Sequence, residues 1–494
     1  MDGAGDLAQD SAANPPLMGA FHRLSPVIIP ERAAPLARQL PMSIVNRTRP
    51  RPRPSGAPLP LQIGKYPVLA KLGEGSTSEV FLAHDEFRGI DVAIKRIRLG
   101  LLPDSREAHF QRHFFAAEAA LVGRLNHPNV VQLHDAVFDD VAPYLVMEYV
   151  DGVTLRRFCR ADALLPLDQI VEIGFKCAMA LDYVYRQGVI HRDVKPANVL
   201  TLMERGQIVD VKITDFGSAF NQTADATQVF RVGSLAYMSP EQLDGDTLDS
   251  RADIYSLATV LYHLIAGRPP FDATRQQAIM HQIYNQQPAS LRTLREGVSE
   301  RLDLLILGAL AKDRDERPAD WHSFAQGLSA LITDHEVPRG TLQGVLDSER
   351  FNLLRSLEFF SGFGDVELWE VVHRAHWQRL AFGHAIYRKG QEGDDFHILA
   401  TGSVDVFRNG VRVAQLGAGT SVGEMAYLAP NPALRVHSAD VIVVDPATTI
   451  SFTPRSLGQL SMATRHLFDS AFIKVLVRRL HAAQAASSPD SPRS

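Results

Sequence analysis

The stretch His191-Arg192-Asp193-Val194-Lys195-Pro196-Ala197-Asn198 decides the fold of this 494-residue chain. It places an aspartate, a lysine and an asparagine close together in the sequence. The segments Asp215-Phe216-Gly217 and Ser239-Pro240-Glu241 follow in that order. Together they form a set of motifs that chance would not assemble in this order.

Two upstream segments extend this pattern. Gly73-Glu74-Gly75-Ser76-Thr77-Ser78-Glu79-Val80 is a glycine-rich turn between predicted strands, where backbone N–H groups can approach phosphate oxygens. Val92-Ala93-Ile94-Lys95 is an apolar strand ending in a lysine, which there needs a phosphate or a carboxylate as partner. Glu118, on a predicted helix, is the candidate carboxylate. Because Ser78 replaces the third glycine, the turn alone is equally consistent with an ordinary hairpin.

The complete set closely resembles the motifs of the Hanks-type protein kinase family, in the family's order. The resemblance covers residues 62–335 and implies a bilobal fold. The residue pattern agrees with an α+β class, since short strands follow Tyr66 and helical periodicity begins after Asp168, ending near Gly188. Asp253 and Arg317 resemble structural anchors of the family's helical lobe.

The resemblance also implies the chemistry, which is ATP-dependent phosphorylation of protein serine or threonine hydroxyls with magnesium. Asp193 would accept the hydroxyl proton and Lys195 would neutralise the transferring γ-phosphoryl group. Asn198 and Asp215 would hold Mg²⁺. Lys195 is typical of the serine/threonine subclass. The segment Tyr144 to Gly152, which contains the hinge residues Glu148 and Val150 of the resemblance, is similar to bacterial members.

The ATP site implied by the resemblance spans both lobes. Lys95, fixed by Glu118, would bind the α- and β-phosphates, and Met147 would be the gatekeeper. Arg192 would pair with a phosphate on an activation loop that contains Thr223 and Thr227, with Thr227 the favoured autophosphorylation site. The full set of predicted ATP contacts is Gly73, Gly75, Val80, Ala93, Lys95, Glu118, Glu148 and Val150.

Two other readings of this region stay open. A pseudokinase scaffold would have the fold without the activity, although Lys95, Asp193, Asn198 and Asp215 are all present. A small-molecule phosphotransferase of related fold is disfavoured by Lys195 and by Ser239-Pro240-Glu241, which in the family ends a peptide-binding loop.

Residues 350–482 resemble a cyclic-nucleotide-binding domain, a β jelly roll with a C-terminal helix. The likeness is clearest in 387–399, 402–404 and 422–426. The short alternating runs 396–399 and 404–407 are predicted to be strands separated by a glycine-containing turn. It implies a cyclic AMP or cyclic GMP site in which Glu424 meets the ribose hydroxyl and Arg435 the phosphate. Val436 lacks the hydroxyl typical of cyclic-GMP-selective members, and His437 stands where a small residue is expected. The remaining predicted contacts are Gly423 and Ala426.

An empty jelly roll that serves homodimerisation or docking on the first domain is the alternative for residues 350–482. On the active reading, nucleotide binding regulates the kinase, with the sign of the effect open. Covalent linkage would favour such coupling, because it gives the two domains a high effective concentration.

Composition narrows the remaining choices. With 45% apolar residues, 22% charged residues and a net charge of −5, the chain is typical of soluble globular protein and gives no reason to expect nucleic-acid binding. Cys159 and Cys177 form no metal or redox motif, which favours reduced thiols. No signal-peptide or membrane-span pattern occurs in the sequence, so we expect a cytoplasmic protein without membrane partners.

The predicted domain order has five parts. A Pro/Arg-rich disordered leader covers 1–61, the kinase domain 62–335 and a linker 336–349. The jelly roll covers 350–482, and a disordered tail covers 483–494. The Arg-Pro alternation in the leader could dock an acidic partner or a polyproline-binding domain, or remain a solvated tail.

Overall fold

A computed structural model describes residues 59–75, 78–98, 119, 123–138, 142–204, 207–216, 232–340 and 346–487. Its first part, the sheet lobe, is an antiparallel sheet in the order β1-β2-β3-β4-β6-β5. Tyr66, Phe81 and Ile94 fill the core on one face of this sheet. The strands are β1 (Gln62–Ile63), β2 (Tyr66–Glu74), β3 (Ser78–Asp85), β4 (Ile90–Ile97), β5 (Leu133–Val137) and β6 (Tyr144–Glu148).

A small antiparallel sheet joins the sheet lobe to the helices. It consists of β7 (Gly152–Thr154), β8 (Val199–Glu204) and β9 (Gln207–Ile213), in that order. Val130, which precedes β5, forms a parallel bridge to Ile213 at the end of β9. This small sheet therefore touches both lobes.

The helical lobe is built around α1 (Leu167–Arg186), which is buried along most of its length. Pro166 precedes its first turn, and Gly188 adopts a φ of 80° just beyond its end, as the sequence predicts. Helix α1 packs on α4 and α7. The other helices are α2 (Val232–Leu235), α3 (Pro240–Asp244), α4 (Ser250–Ala266), α5 (Gln276–Asn285), α6 (Glu300–Ala309) and α7 (Trp321–Thr333).

Two further helices, α8 (Asp347–Ser356) and α9 (Asp365–Arg374), pack against α1. We call them the docking helices. Helix α8 begins inside the segment 336–349 that the sequence predicts as a linker. Gly340 in that segment donates its N–H to Asp168 on α1, at 2.9 Å. The docking helices share one apolar core with the helical lobe and the C-terminal domain.

The C-terminal β domain is formed by antiparallel strands in the order β10-β15-β12-β13, with β11 on β15 and β14 on β12. Phe396, Phe452 and Phe468 pack in its base. Its elements are β10 (His376–Leu380), β11 (Ala385–Tyr387), β12 (Phe396–Arg408), β13 (Val411–Gly417), β14 (Ser421–Val422), α10 (Glu424–Tyr427), β15 (Asp440–Phe452), α11 (Pro454–Gly458) and α12 (Met462–Ser487).

One local sequence interpretation of the β domain is wrong. The runs 396–399 and 404–407 read as separate strands with a glycine turn between them, but both belong to β12. Gly402 has a φ of 80° and lies where the register of β12 against β15 shifts. A Cβ there would come within 2.6 Å of the Pro446 carbonyl oxygen, so the glycine permits a bulge rather than a turn.

None of the helices in the described part of the chain is both long and apolar enough to span a bilayer.

Candidate functional site

The β8–β9 pair holds the two predicted magnesium ligands at one end. Asn198 directly precedes β8, and Asp215 follows the end of β9. Val199 pairs with Ile213, and Thr214 donates its N–H to the Asn198 carbonyl at 3.0 Å. Residues far apart in sequence are thereby brought to one edge of the small sheet.

Asp193 is held by the two neighbours that the sequence predicts. Lys195 Nζ lies 2.9 and 2.6 Å from its two carboxylate oxygens. The Asn198 amide nitrogen donates to the Asp193 carbonyl at 2.9 Å and to Oδ2 at 3.0 Å. Lys195 also donates to Ser234 Oγ at 3.2 Å. The carboxylate is therefore fixed in orientation, and a hydroxyl on α2 lies within reach of the same lysine.

The loop that carries Asp193 has an unusual backbone that needs support. Arg192 adopts a φ of 65°, a left-handed conformation that a non-glycine residue rarely takes. The buried Asp253 carboxylate accepts the N–H groups of His191 and Arg192 at 2.7 and 2.8 Å. Gln242 donates to the Arg192 carbonyl at 2.9 Å. These contacts stabilise the strained turn, and Asp253 holds it from inside the helical lobe.

Asp215 has the second strained backbone of the site, with a φ of 68°. Its Oδ1 accepts Lys95 Nζ at 2.7 Å, which joins the sheet lobe to the edge of the small sheet. The Lys95 ammonium holds the pKa of Asp215 below its ordinary value. Asp215 is therefore ionised at neutral pH, and its other carboxylate oxygen is available to a cation.

The oxygen atoms at this edge fit magnesium. Because the Asn198 nitrogen donates to Asp193, the amide oxygen is left to coordinate, and Asp215 adds a carboxylate. Mg²⁺ prefers such hard oxygen ligands and is usually bound through one or two of them together with phosphates.

Strand register aligns the predicted nucleotide contacts in the sheet lobe. Val80 pairs with both Gly73 and Lys95, so these three residues lie side by side on adjacent strands. Ala93 pairs with Met147, the predicted gatekeeper next to Glu148. The predicted contacts thus line one path from the glycine-rich turn to the start of the hinge.

Some predicted residues have other tasks or lie outside the described residues. The Glu148 side chain pairs with Lys212 on β9 at 3.0 Å. The backbone N–H of Glu148 donates to the Gln132 carbonyl at 2.8 Å. Gly75 closes the glycine-rich turn by donating to the Ser78 carbonyl at 2.7 Å, and Val150 is buried. Glu118, Gly217, Thr223 and Thr227 belong to segments outside the description.

In the β domain, Tyr387 brings the two predicted halves of the nucleotide pocket together. Gly423 has a φ of 86°, and a Cβ there would come within 2.5 Å of the Tyr387 hydroxyl. On the other side, the His437 ring stacks on Tyr387 with centroids 3.8 Å apart. Glu424 directly follows Gly423, and Arg435 lies two positions before His437. These two predicted contacts therefore lie at the same end of the domain.

Several polar atoms in this pocket have no hydrogen-bond partner within the described structure. They are Ser421 Oγ, Glu424 Oε2, Arg435 Nε and His437 Nε2. Glu424 is 1% exposed and Ser421 is 0% exposed. Buried polar atoms are normally paired, so this group indicates a place for a polar ligand. Ala426 is buried beneath it, and Val436 is exposed at 38%.

Sequence reasoning missed Arg479 on α12. Its guanidinium pairs with Glu424 and donates to the Ser421 carbonyl at 2.7 Å. Nothing in the local sequence marks this arginine, because its partner is 55 positions away. The residue predicted to meet a ribose is therefore also tied to the C-terminal helix.

Comparison with known proteins agrees with this geometry. The family described as "Protein kinase domain" matches residues 66–328. This chain belongs to that family. The family described as "Cyclic nucleotide-binding domain" matches residues 377–463. The resemblances predicted from the motifs are thereby confirmed for both regions.

Relatives with similar sequences include bacterial proteins. "Serine/threonine-protein kinase PknB" of Mycobacterium leprae is 37% identical over 58% of this chain and 45% of its own length. "Probable serine/threonine-protein kinase SCO3848" of Streptomyces coelicolor is 37% identical over 57% of this chain and 42% of its own. The chain thus spans less than half of these relatives. A mutant PknI kinase domain of Mycobacterium tuberculosis shares 29% identity over 55% of this chain and 96% of that domain, with a TM-score of 0.42.

Glu79, beside the glycine-rich turn, generates a prediction about pH. Arg98, Lys71 and Arg96 lie 2.8, 2.7 and 2.7 Å from its carboxylate and lower the pKa of Glu79 from 4.5 to about 2. A lowered pKa in the folded state adds stability that is present above the unfolded pKa and lost as pH falls toward the folded pKa.

We therefore expect Glu79→Gln to lower the melting temperature by a constant amount from about pH 7 to pH 5. Below pH 4.5 the difference from wild type should shrink, because the unfolded wild-type chain then binds a proton at Glu79 that the folded chain binds only near pH 2. Thermal unfolding at a series of pH values measures this, with the exposed Glu86→Gln as control. A difference that grows below pH 4.5 would contradict the assignment.

Proposed function

We propose that this protein transfers the γ-phosphoryl group of ATP to serine or threonine hydroxyls of protein substrates. The observation that carries the proposal is the fixed group of Asp193, Lys195 and Asn198, placed beside Asp215 by the β8–β9 pair. Membership of the protein kinase domain family and similarity to bacterial proteins named serine/threonine kinases support it. The buried, unbridged Cys159 and Cys177 agree with a reducing compartment, and we propose the cytoplasm.

The residues divide the chemistry among them. Asp193 orients the substrate hydroxyl and accepts its proton, because hydrogen bonds from Lys195 and Asn198 hold its carboxylate in place. Lys195 neutralises the charge on the transferring group. Asn198 and Asp215 would hold Mg²⁺, which would offset the negative charge of the phosphates. Lys95 binds the α- and β-phosphates. Little covalent chemistry is needed, so the rate depends on positioning and electrostatics.

The first test removes the proton acceptor. We expect Asp193→Asn to reduce phosphotransfer by more than ~100-fold while the melting temperature stays close to that of wild type, because the asparagine amide keeps the size of the side chain but cannot accept the hydroxyl proton. Lys95→Met should have the same outcome. The measurement uses labelled ATP, magnesium and a generic basic protein.

Asp162→Asn is the matched control, because this carboxylate is 68% exposed and pairs only with Arg160 among the described residues. A wild-type chain that transfers no phosphate to itself or to protein would favour the pseudokinase scaffold. Transfer to small molecules alone would favour the phosphotransferase alternative. Activity of Asp193→Asn within about tenfold of wild type would contradict the assigned role.

We also propose activation by autophosphorylation on the loop that contains Thr223 and Thr227. The support is Arg192, which directly precedes Asp193 and whose backbone is held by Asp253. A phosphate opposite this arginine would gain charge-assisted hydrogen bonds and order the loop.

The corresponding prediction is that incubation with ATP phosphorylates Thr227. Mass spectrometry should detect the modification, and Thr227→Ala should lower activity more than the matched variant Thr223→Ala. An active wild-type chain in which both threonines stay unmodified would refute this mode of activation.

For the C-terminal domain we propose binding of a cyclic nucleotide, with cyclic AMP preferred over cyclic GMP because Val436 offers no hydroxyl. The unpartnered buried atoms around Glu424 and Arg435 support it. Arg479 already pairs with Glu424, so a ribose hydroxyl that binds Glu424 would have to share its carboxylate with Arg479 or displace that arginine. Binding would thereby be linked to helix α12 and, through a change in domain arrangement, to kinase activity.

We expect Arg435→Ala to weaken cyclic AMP binding at least tenfold, since loss of a buried countercharge costs roughly 2–5 kcal/mol. Calorimetric titration of the full chain measures this. Arg412→Ala, whose side chain is 59% exposed, should bind as wild type does. If wild type shows no heat with millimolar cyclic AMP or cyclic GMP, the domain is instead an empty module for dimerisation or docking.

A further inference from the structure

The docking helices lie outside both family matches, which cover residues 66–328 and 377–463. They are nevertheless deeply buried. Phe351 is 3% exposed, and Leu354 and Trp369 are 0% exposed. Phe175 on α1 packs edge-to-face on the rings of Phe351 and Trp369, with centroids 5.5 and 5.4 Å apart. The kinase helical lobe is therefore completed by residues that belong to neither family.

Trp369 makes a polar contact in this apolar patch that leads toward the catalytic site. Its indole N–H donates to Asn129 Oδ1 at 3.0 Å, in a buried setting. Asn129 is itself 0% exposed. A buried amide oxygen that lost its donor would be left unsatisfied, so this hydrogen bond fixes the orientation of the Asn129 side chain.

Asn129 is in turn hydrogen-bonded to residues of strand β9. Its amide nitrogen donates to Asp210 Oδ1 at 2.7 Å and to the Val211 carbonyl at 2.8 Å. The backbone carbonyl of Asn129 accepts the Ile213 N–H at 2.8 Å. Asn129 is thus bound along β9 up to the residue that pairs with Val199. The metal ligands Asn198 and Asp215 stand just beyond these two residues.

A second contact from the docking helices reaches the same strand. Lys176 on α1 is 4% exposed and lies 3.1 Å from Asp210 and 2.8 Å from Asp347, at the start of α8. Next to it, Ser348 Oγ donates to Glu172 at 2.5 Å. Buried charges require partners, so Lys176 ties Asp347 to β9. Two separate links therefore join the docking helices to one strand.

We propose that the docking helices position the magnesium-binding end of the β8–β9 pair, and that Trp369 is a positioning residue that acts through Asn129. The inference rests on the proposed kinase function. On this proposal, the segment between the two domains helps to position the catalytic residues. It also gives the β domain, which shares its apolar core with these helices, a physical route to the metal ligands.

The test compares ADP affinity with and without Mg²⁺ by calorimetry on the full chain. Trp369→Phe keeps the ring and removes the N–H, so we expect it to reduce the gain in ADP affinity that Mg²⁺ gives by about three- to tenfold. Affinity without Mg²⁺ should be unchanged. The effect is smaller than the ~10–100-fold typical of residues that hydrogen-bond directly to a metal ligand, because Trp369 acts through intermediate residues. The Mg²⁺ concentration for half-maximal phosphotransfer should rise in parallel.

Trp377→Phe is the matched control. Its indole N–H donates at 3.2 Å to the Val372 carbonyl, which belongs to α9 and not to the kinase lobes. This variant should retain the wild-type gain from Mg²⁺. If both variants lost the Mg²⁺-dependent increase in ADP affinity equally, the cause would be a general loss of packing, and the proposal would be overturned. It would also be overturned if Trp369→Phe were folded and kept the wild-type increase in ADP affinity.

Asp347→Asn tests the second link to β9 and decides the matter if Trp369→Phe is unfolded at the assay temperature. We expect the same selective loss of the gain from Mg²⁺, and an unchanged gain in this variant would then overturn the proposal. Wild-type phosphotransfer separates the two hypotheses. If wild type is active and the variants respond normally to Mg²⁺, only this inference fails. If wild type neither transfers phosphate nor responds to Mg²⁺, the proposed function fails with it.

Discussion

The pairing of β8 with β9 is the constraint on which the rest of the structure depends. Asn198 and Asp215 are separated by strands β8 and β9, yet the register that pairs Val199 with Ile213 brings them to one edge. A shift of that register by one residue would turn side chains to the opposite face and separate the ligands. The chemistry assigned to this chain therefore requires β9 to be held accurately.

Strand β9 is held from several directions. Lys212 pairs with Glu148 at the hinge, and Asn129 binds along its backbone. Lys176 reaches Asp210 from the helical lobe. The remaining link is Lys95, which contacts Asp215 from the sheet lobe. Each of these contacts comes from a different element, so the strand that precedes Asp215 is held by residues of both lobes and, through Lys176, by Asp347 of α8.

The residues that carry the chemistry of the site could be predicted from sequence, but the distant residues that hold them in position could not. Asp193, Lys195 and Asn198 are close in sequence, so their contact follows from a short loop. Trp369 and Asn129 lie 240 positions apart, and neither periodicity nor a motif marks the pair. Arg479 was missed for the same reason. The Gly402 bulge was misread as a turn because a glycine between alternating runs fits both, and only the register with β15 distinguishes them.

The most direct measurement of the central claim is a crystal structure of the full chain with Mg²⁺ and a non-hydrolysable ATP analogue. The account predicts a metal ion at roughly 2.0–2.1 Å from the Asn198 amide oxygen and from an Asp215 carboxylate oxygen, with analogue phosphates completing its coordination. Strand β9 should keep its register with β8. A metal bound elsewhere, or an Asp215 side chain directed away from the nucleotide while β9 remains paired, would contradict it.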